Sequence, residues 1–278
     1  SSNKPYPRFD VSGFRQRMKN RRILFVGSSL MRQQVLALLW TLGHKEVEWK
    51  KFPVPPSLNP CTAGRECFTD VQSNITICWQ FLGSMATTVY SEGNFTLDHS
   101  LRGHGDSSCL LQDEMMEQLT GFELVFVQSL TWWTNLPIIL NSTSSPMEWV
   151  AGMVPTMYFD AMKLFLTKIS RSTTTVLVLG QMGVDCAEKT VPEPFSITKI
   201  PDRYGWSMSP KLWDSSLKLV EQERLHVQVI DARVPLMQSV HAHPPGDCLH
   251  FCMNSAAVNI YLDMYYRDVF SRFNGHTP

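Results

Sequence analysis

Two short segments near opposite ends of the chain carry residue types that together could perform acyl transfer. The first is an apolar run that ends in Gly27-Ser28-Ser29 and continues into a helical pattern, and the second holds Asp247 and His250. A serine at a strand-to-helix turn can act as a nucleophile, because backbone N–H groups at a helix start can stabilise an oxyanion. His250 would be the general base, and the Asp247 carboxylate would hold the imidazole in the required tautomer. The pattern predicts a serine-dependent acyl-transfer enzyme.

Each member of this set also has a structural interpretation or a rival. A serine that follows a glycine at a strand end is commonly a turn or helix N-cap residue, and Ser28 and Ser29 could exchange these roles. His250 could instead be a core histidine beside a disulfide. His241 and His243 are alternative bases, although the proline pair that follows them is typical of a solvated loop.

Further polar and aromatic residues are candidates for the oxyanion hole and the substrate site. Arg32 lies one helical turn past Ser29, where it could bind a substrate oxygen or brace an acidic residue of a neighbouring loop. The Gln128 amide could donate to an oxyanion beside the Ser29 N–H. A tryptophan pair could stack a sugar ring or form core and wall, and Tyr204 and Trp206 are further sugar-stacking candidates. The residues predicted for these sites are Ser28, Arg32, Gln128, Trp132 and Trp133.

The composition excludes several classes of function. The 278 residues are 44% hydrophobic, which suits one large α/β domain with an ample core. The 25 basic residues balance the 25 acidic ones, so we expect no nucleic-acid partner. No apolar run approaches the roughly 20 residues that a membrane span needs. No signal peptide begins at Ser1, so we expect a removed targeting or anchor segment before it.

Cysteines and sequons together predict a secretory-pathway lumen. The chain has seven cysteines, and its three N-glycosylation acceptors would be Asn74, Asn94 and Asn141. Disulfides are expected in such a compartment, and the odd count leaves one thiol free or paired outside this chain. A cytosolic protein with scattered thiols is the alternative. A zinc site around Cys248 and Cys252 lacks a second paired half, so we expect no bound metal.

Four apolar runs are predicted to be strands of a parallel sheet that is covered on both faces. They are Arg22–Gly27, Leu124–Gln128, Thr175–Gly180 and Val227–Asp231. The predicted helices are Met31–Leu42, Thr156–Ile169, Pro210–Arg224 and Ala256–Phe273. Alternation of strand and helix predicts a doubly wound α/β sheet. Sites in such sheets form outside the carboxyl ends of the strands, and Ser29 lies at one such end.

The chain is predicted to be a single domain over residues 1–278, with a cysteine-rich, disulfide-pinned insertion at about 45–112. This segment holds four of the seven cysteines, two sequons, and short strands near Trp79–Gly83 and Thr87–Tyr90. It would form a lid or a substrate wall over the core. Residues 181–209 form a second long loop with little periodicity, and loops of that length are often functional.

The opening and closing segments resemble blocks of the trichome-birefringence-like proteins, which belong to the PC-esterase group of the GDSL/SGNH hydrolase superfamily. The opening block spans Pro7–Asp10 and Arg22–Gln34, and the closing block is Asp247–Cys252. Between them, Leu124–Phe126 followed by Trp132-Trp133 resembles the strand that ends in a tryptophan pair in that family. The order and spacing of these segments also fit across nearly the whole chain.

The resemblance implies a flavodoxin-like, three-layer α/β/α core and a polysaccharide O-acetyltransferase of the Golgi lumen. Family members are typically type II membrane proteins, so membrane attachment would be through an anchor absent from this chain; a secreted protein is the alternative. Ser29, His250 and Asp247 would form the triad. The acceptor would be a polysaccharide or oligosaccharide, and an acetyl donor, of which acetyl-CoA is one option, would be a co-substrate with no bound cofactor. A carbohydrate esterase of the same fold, or a non-catalytic carbohydrate-binding relative, are the alternatives.

The sequence departs from the family pattern at several positions near the site. Ser28 replaces the aspartate of Gly-Asp-Ser, which is beside the nucleophile and does not pair with the histidine. Gln33 replaces the asparagine after the arginine, and Phe251 replaces the tryptophan after the histidine. The asparagine expected after Leu124–Phe126 is absent, and Gln128 is the nearest polar residue.

Overall fold

The computed structural model describes residues 8–47, 65–81, 88–91, 94–97, 119–128, 133, 147–180, 208–237, 250–251 and 255–273. Within these ranges the strands are β1 (Arg22–Gly27), β2 (Arg65–Asp70), β3 (Ile75–Phe81), β4 (Thr88–Ser91), β5 (Asn94–Leu97), β6 (Leu124–Gln128), β7 (Thr174–Leu179) and β8 (Val227–Asp231). The helices are α1 (Val11–Arg17), α2 (Ser29–Thr41), α3 (Met147–Ile169), α4 (Ser209–Gln222), α5 (Arg233–Met237) and α6 (Ala256–Asp268), followed by a 3₁₀ turn at Phe270–Arg272.

Six of these strands form one sheet in the order β2-β3-β1-β6-β7-β8. All neighbouring strands are parallel except β2, which pairs antiparallel with β3 at one edge. Counted along the chain, the parallel strands lie in the order second, first, third, fourth and fifth, which is the flavodoxin-like order. In such sheets ligands bind where the first and third parallel strands diverge, which here is between β1 and β6.

Helices cover both faces of the sheet, because alternate residues of each central strand point to opposite sides. Ile23 and Phe25 of β1 pack in one core with α1, α2 and α6, and the Phe25 ring stacks on Phe126 with centroids 4.7 Å apart. Leu24 and Val26 pack in the other core with α3 and α4. The flavodoxin-like three-layer fold predicted from the sequence is confirmed.

The segment predicted as a cysteine-rich insertion supplies two strands of this sheet. β2 and β3 form a hairpin, and a disulfide joins Cys67 to Cys78, which face each other in its register. β3 then pairs with β1 on its other side, so the hairpin extends the sheet beside the strand that leads to Ser29. Single-domain organisation over 1–278 stays a prediction, as does any lid in the segments outside the described ranges.

A buried acidic residue ties the same hairpin to the first helices. Asp70, fully buried at the end of β2, accepts hydrogen bonds from Arg15 and Ser73 and contacts His44 at 2.8 Å. Burial alone would raise the pKa of Asp70, but the bonds from Arg15, Ser73 and His44 outweigh it and lower the pKa to about 2.

Among the described helices, none has the length and apolar character that crossing a bilayer requires.

Candidate active site

The turn from β1 into α2 brings the strand end close to its neighbours. A Cβ on Gly27 would lie 2.6 Å from the backbone oxygen of Gln128 and 2.8 Å from the Cβ of Met31. Real side chains do not approach backbone that closely, so only glycine lets β1, β6 and the first turn of α2 meet here. The position of the following serines depends on this close approach.

Of the two serines, Ser28 occupies the cap and Ser29 is the first helical residue. Ser28 has an extended backbone, and its hydroxyl accepts a hydrogen bond from the Leu30 N–H at 3.4 Å. The Ser28 carbonyl accepts the first intrahelical bond, from the Arg32 N–H at 3.2 Å. Ser29 is half-buried, and its N–H belongs to the helix turn whose N–H groups have no acceptor within the helix.

The predicted base lies beside the predicted nucleophile. His250 Nε2 is 2.8 Å from Ser29 Oγ, although 221 positions separate the two residues in the chain. This is hydrogen-bond distance for proton transfer from the hydroxyl to the ring. Asp247 lies outside the described residues, as do the alternative bases His241 and His243, so the third member of the triad stays a prediction.

A glutamine of α2 fixes the residue after His250. The Gln33 amide donates from Nε2 to the Phe251 carbonyl at 2.7 Å, and its Oε1 accepts from the Phe251 N–H at 3.1 Å. Gln33 and Phe251 are each 5% exposed, so these bonds are shielded from water. From the sequence, Gln33 is only a departure from the family pattern, with no predicted role.

Gln128, predicted as an oxyanion donor, lies in a buried hydrogen-bond network behind the turn. Its Oε1 accepts from Gln34 Nε2 at 3.1 Å, and its Nε2 donates to the Tyr261 hydroxyl at 3.3 Å. The Tyr265 hydroxyl donates to Gln34 Oε1. Burial raises the pKa of both tyrosines, so the network is neutral. The Gln128 side chain is 1% exposed. A role for Gln128 as an oxyanion donor stays a prediction.

Arg32 braces an acidic residue, which was one of the two roles considered for it. Its Nε and Nη2 lie 3.3 and 3.4 Å from the two carboxylate oxygens of Glu66 on the edge strand β2. The guanidinium also lies over the Trp79 ring, 5.3 Å from its centroid. Burial raises the pKa of Glu66 to about 7, against the lowering effect of Arg32. Glu66 was not predicted from the sequence, because nothing local marks an edge-strand carboxylate as a partner of α2.

Of the tryptophan pair, Trp133 lies among the described residues. Trp133 is fully buried and packs edge-on against Tyr158, with ring centroids 5.4 Å apart. It is therefore the core member of the pair, and its ring is not placed to stack a sugar. Trp132 and the other sugar-stacking candidates, Tyr204 and Trp206, lie outside the described residues.

The predicted glycosylation sites are described in part. Asn74 is exposed in the turn between β2 and β3, with a positive φ of 54°, and its amide donates to Asn20 Oδ1 at 3.1 Å. Asn94 begins β5, and Asn141 lies outside the described residues. Cys248 and Cys252 also lie outside, and the described residues contain no group of three metal-ligating side chains.

The sequence matches a known protein family. Residues 6–181 match the PC-esterase family, described as a GDSL/SGNH-like acyl-esterase family found in Pmr5 and Cas1p. The chain belongs to the PC-esterase family. The match covers Ser29, Arg32 and Gln128, whereas His250 lies beyond it and joins the site through the fold. The resemblance stated from the opening block is thereby confirmed, since trichome-birefringence-like proteins are members of this family.

Solved structures similar to this PC-esterase chain include esterases. One is the aryl esterase of M. smegmatis, with a TM-score of 0.43, 13% identity, and coverage of 89% of this chain and 98% of that one. Another is Est24, a carbohydrate acetylesterase from Sinorhizobium meliloti, with a TM-score of 0.42, 15% identity, and coverage of 89% and 97%. No curated protein matches the sequence.

Proposed function

We propose that this PC-esterase family member is a polysaccharide O-acetyltransferase that works through an acetyl-serine intermediate at Ser29. The observation that carries the proposal is the 2.8 Å contact between His250 Nε2 and Ser29 Oγ at the N-terminus of α2. Family membership supports acyl-ester chemistry, and the resemblance to trichome-birefringence-like proteins supports a sugar hydroxyl as acceptor. A non-catalytic relative would not need a base within hydrogen-bond reach of the serine.

The reaction has two half-reactions that use the same two side chains. Ser29 Oγ attacks the acyl carbon of the donor while its proton passes to His250 Nε2, and the oxyanion forms beside the N-terminus of α2. The donor's leaving group departs with that proton, which leaves an acetyl ester on Ser29. A sugar hydroxyl then gives its proton to His250 and attacks the acetyl carbon, and Ser29 regains a proton as it leaves. Asp247 would hold the imidazole and stabilise its charged form.

Hydrolysis is the second candidate function, because the family is described by its acyl-esterase activity. A water molecule would then take the place of the sugar hydroxyl in the second half-reaction. The first half-reaction is identical in both cases. The two functions therefore differ only in which hydroxyl reaches acetyl-Ser29.

A secretory-pathway location fits the same proposal. The Cys67–Cys78 disulfide is of a kind that persists in oxidising compartments, and Asn74 is exposed in a turn. We propose a Golgi-lumen or secreted domain. Peptide mapping of the protein expressed in a secretory host would detect glycans at Asn74, and an unmodified Asn74 together with a reduced Cys67 would contradict this location.

Intact-protein mass spectrometry tests the chemistry directly. The wild type, Ser29→Ala and His250→Ala would be incubated with an activated acetyl ester, with and without a panel of plant oligosaccharides. We expect an acetyl adduct on Ser29 that is absent in Ser29→Ala and is discharged onto one oligosaccharide. Discharge only to water would assign the esterase function. Absence of any adduct in folded wild-type protein would overturn the proposal.

A further inference from the structure

The segment that carries the base is attached to the helix that carries the nucleophile at a second point. Gln33 lies four positions after Ser29 in α2, so both side chains project from the same face of the helix, about 6 Å apart along its axis. His250 contacts Ser29 at the first point, and Phe251 is bonded to Gln33 at the second. Two consecutive residues are thus held in register with one turn of α2.

The second attachment has the form of a strand pairing. The Gln33 amide presents one donor and one acceptor, and it bonds both backbone polar groups of Phe251 at 2.7 and 3.1 Å. Each bond alone holds one of the two peptide units that flank Phe251, whereas the pair holds both. The His250 Cα belongs to the peptide unit that carries the Phe251 N–H, so the bond from this N–H to Gln33 Oε1 restricts the position of His250 relative to Ser29 as well.

We propose that Gln33 is a positioning residue for the reaction, and that it holds His250 at hydrogen-bond distance from Ser29. The inference rests on the proposed function, in which His250 is the base. A purely structural role would satisfy two buried backbone groups without any effect on the reaction. The positioning role differs in its consequence, because a displacement of about 1 Å at a reacting group costs on the order of 10²-fold in rate.

Two variants separate the roles by their pH dependence. Gln33→Met keeps the length of the side chain and removes both bonds. Gln33→Glu keeps the shape and the acceptor for the Phe251 N–H, but it can donate to the Phe251 carbonyl only when the new carboxyl is protonated. Position 33 is buried, and burial raises the pKa of such a carboxyl above that of an exposed glutamic acid. Gln228→Met is a control, because it removes an exposed glutamine bond to the backbone carbonyl of Asp268, outside α2 and the segment that carries His250.

The measurement is turnover of p-nitrophenyl acetate against pH, with kcat and KM separated. We expect Gln33→Met to lower kcat by about 10- to 100-fold at every pH with little change in KM. The kcat ratio of Gln33→Glu to wild type should rise as the pH falls, and Gln228→Met should match the wild type. A kcat of Gln33→Met within about twofold of the wild type, or a ratio for Gln33→Glu that does not change with pH, would overturn the inference.

A second readout does not require turnover. The ring resonances of His250 in an NMR spectrum depend on its hydrogen bond to Ser29. If Gln33 positions the ring, Gln33→Met shifts these resonances toward those of Ser29→Ala, while Gln228→Met leaves them in place. Unchanged resonances in Gln33→Met refute positioning. Wild-type protein that shows no Ser29-dependent turnover but shows this shift would count against the proposed function alone.

Discussion

The ion pair between Glu66 and Arg32 makes the stability of the fold depend on pH in a range where most carboxylates do not titrate. Glu66 is 9% exposed, and burial raises its pKa to about 7 although Arg32 is 3.3 Å away. The folded protein therefore holds this proton more tightly than the unfolded chain does. Glu66 contributes its full stabilisation below pH 4.5, and this is lost as the pH rises toward and through 7.

The size of the effect follows from the two pKa values. A change from 4.5 to about 7, at about 1.4 kcal/mol per pH unit, corresponds to about 3 kcal/mol of unfolding free energy. Glu66→Gln removes the titration and keeps an acceptor for Arg32. We therefore expect the variant to gain about 3 kcal/mol relative to the wild type between pH 4.5 and pH 8.

Urea unfolding of both proteins, with the disulfide intact, measures this difference at a series of pH values. Because only the difference between the two proteins is used, the contributions of groups that titrate alike in both cancel. A difference that stays constant within about 0.5 kcal/mol from pH 4.5 to 8 would refute the reasoning. A variant that loses stability relative to the wild type as the pH rises would mean that Arg32 outweighs burial and keeps Glu66 charged.

Three further changes probe the elements that hold the site. Gly27→Ala places a Cβ 2.6 Å from the backbone oxygen of Gln128. We expect the unfolding free energy to fall by about 1–3 kcal/mol and acylation of Ser29 to be lost, and an unchanged melting temperature would contradict this. The stabilisation by Asp70 is present above pH 3.8 and is lost toward pH 2, so Asp70→Asn should remove an acid-induced loss of about 2 kcal/mol in unfolding free energy. Acid titrations, followed by tryptophan fluorescence, that coincide for Asp70→Asn and the wild type would argue against this. Replacing Cys67 and Cys78 by serine removes a cross-link over 11 residues and should cost about 3 kcal/mol in urea unfolding; equal midpoints would be inconsistent with this loss.

The central strands were predictable because they are buried on both faces. β1 and β6 have the bounds that their apolar runs predicted, and β7 differs by one residue at each end. The edge strand β8 is only partly buried, and its bounds also match the prediction. β3 was predicted only from Trp79 onward, because Ile75–Cys78 mixes apolar residues with a threonine and a cysteine next to a sequon. Its place beside β1 comes from tertiary pairing with β1 and β2, which no local pattern records.

The contact between Ser29 and His250 was predictable because both residue types signal chemistry. Ser29 and His250 were found from the turn after β1 and from the closing block, and they lie within hydrogen-bond distance. Gln33 and Glu66 were not found, because their roles depend on partners 218 and 34 positions away. Amides and edge-strand carboxylates are common on any surface, so only the fold distinguishes these two from their neighbours.

If Ser29 is acylated as proposed, its separation of 221 positions from His250 also makes acylation a measure of the native state. In an unfolded or truncated chain Ser29 has an ordinary hydroxyl, which is a weak nucleophile without a base beside it. The fraction of chains that an activated ester labels at Ser29 therefore equals the fraction in which β1, α2 and the closing block have assembled. Active-site titration could count correctly folded molecules in a preparation, or follow the last step of refolding, without any knowledge of the natural acceptor.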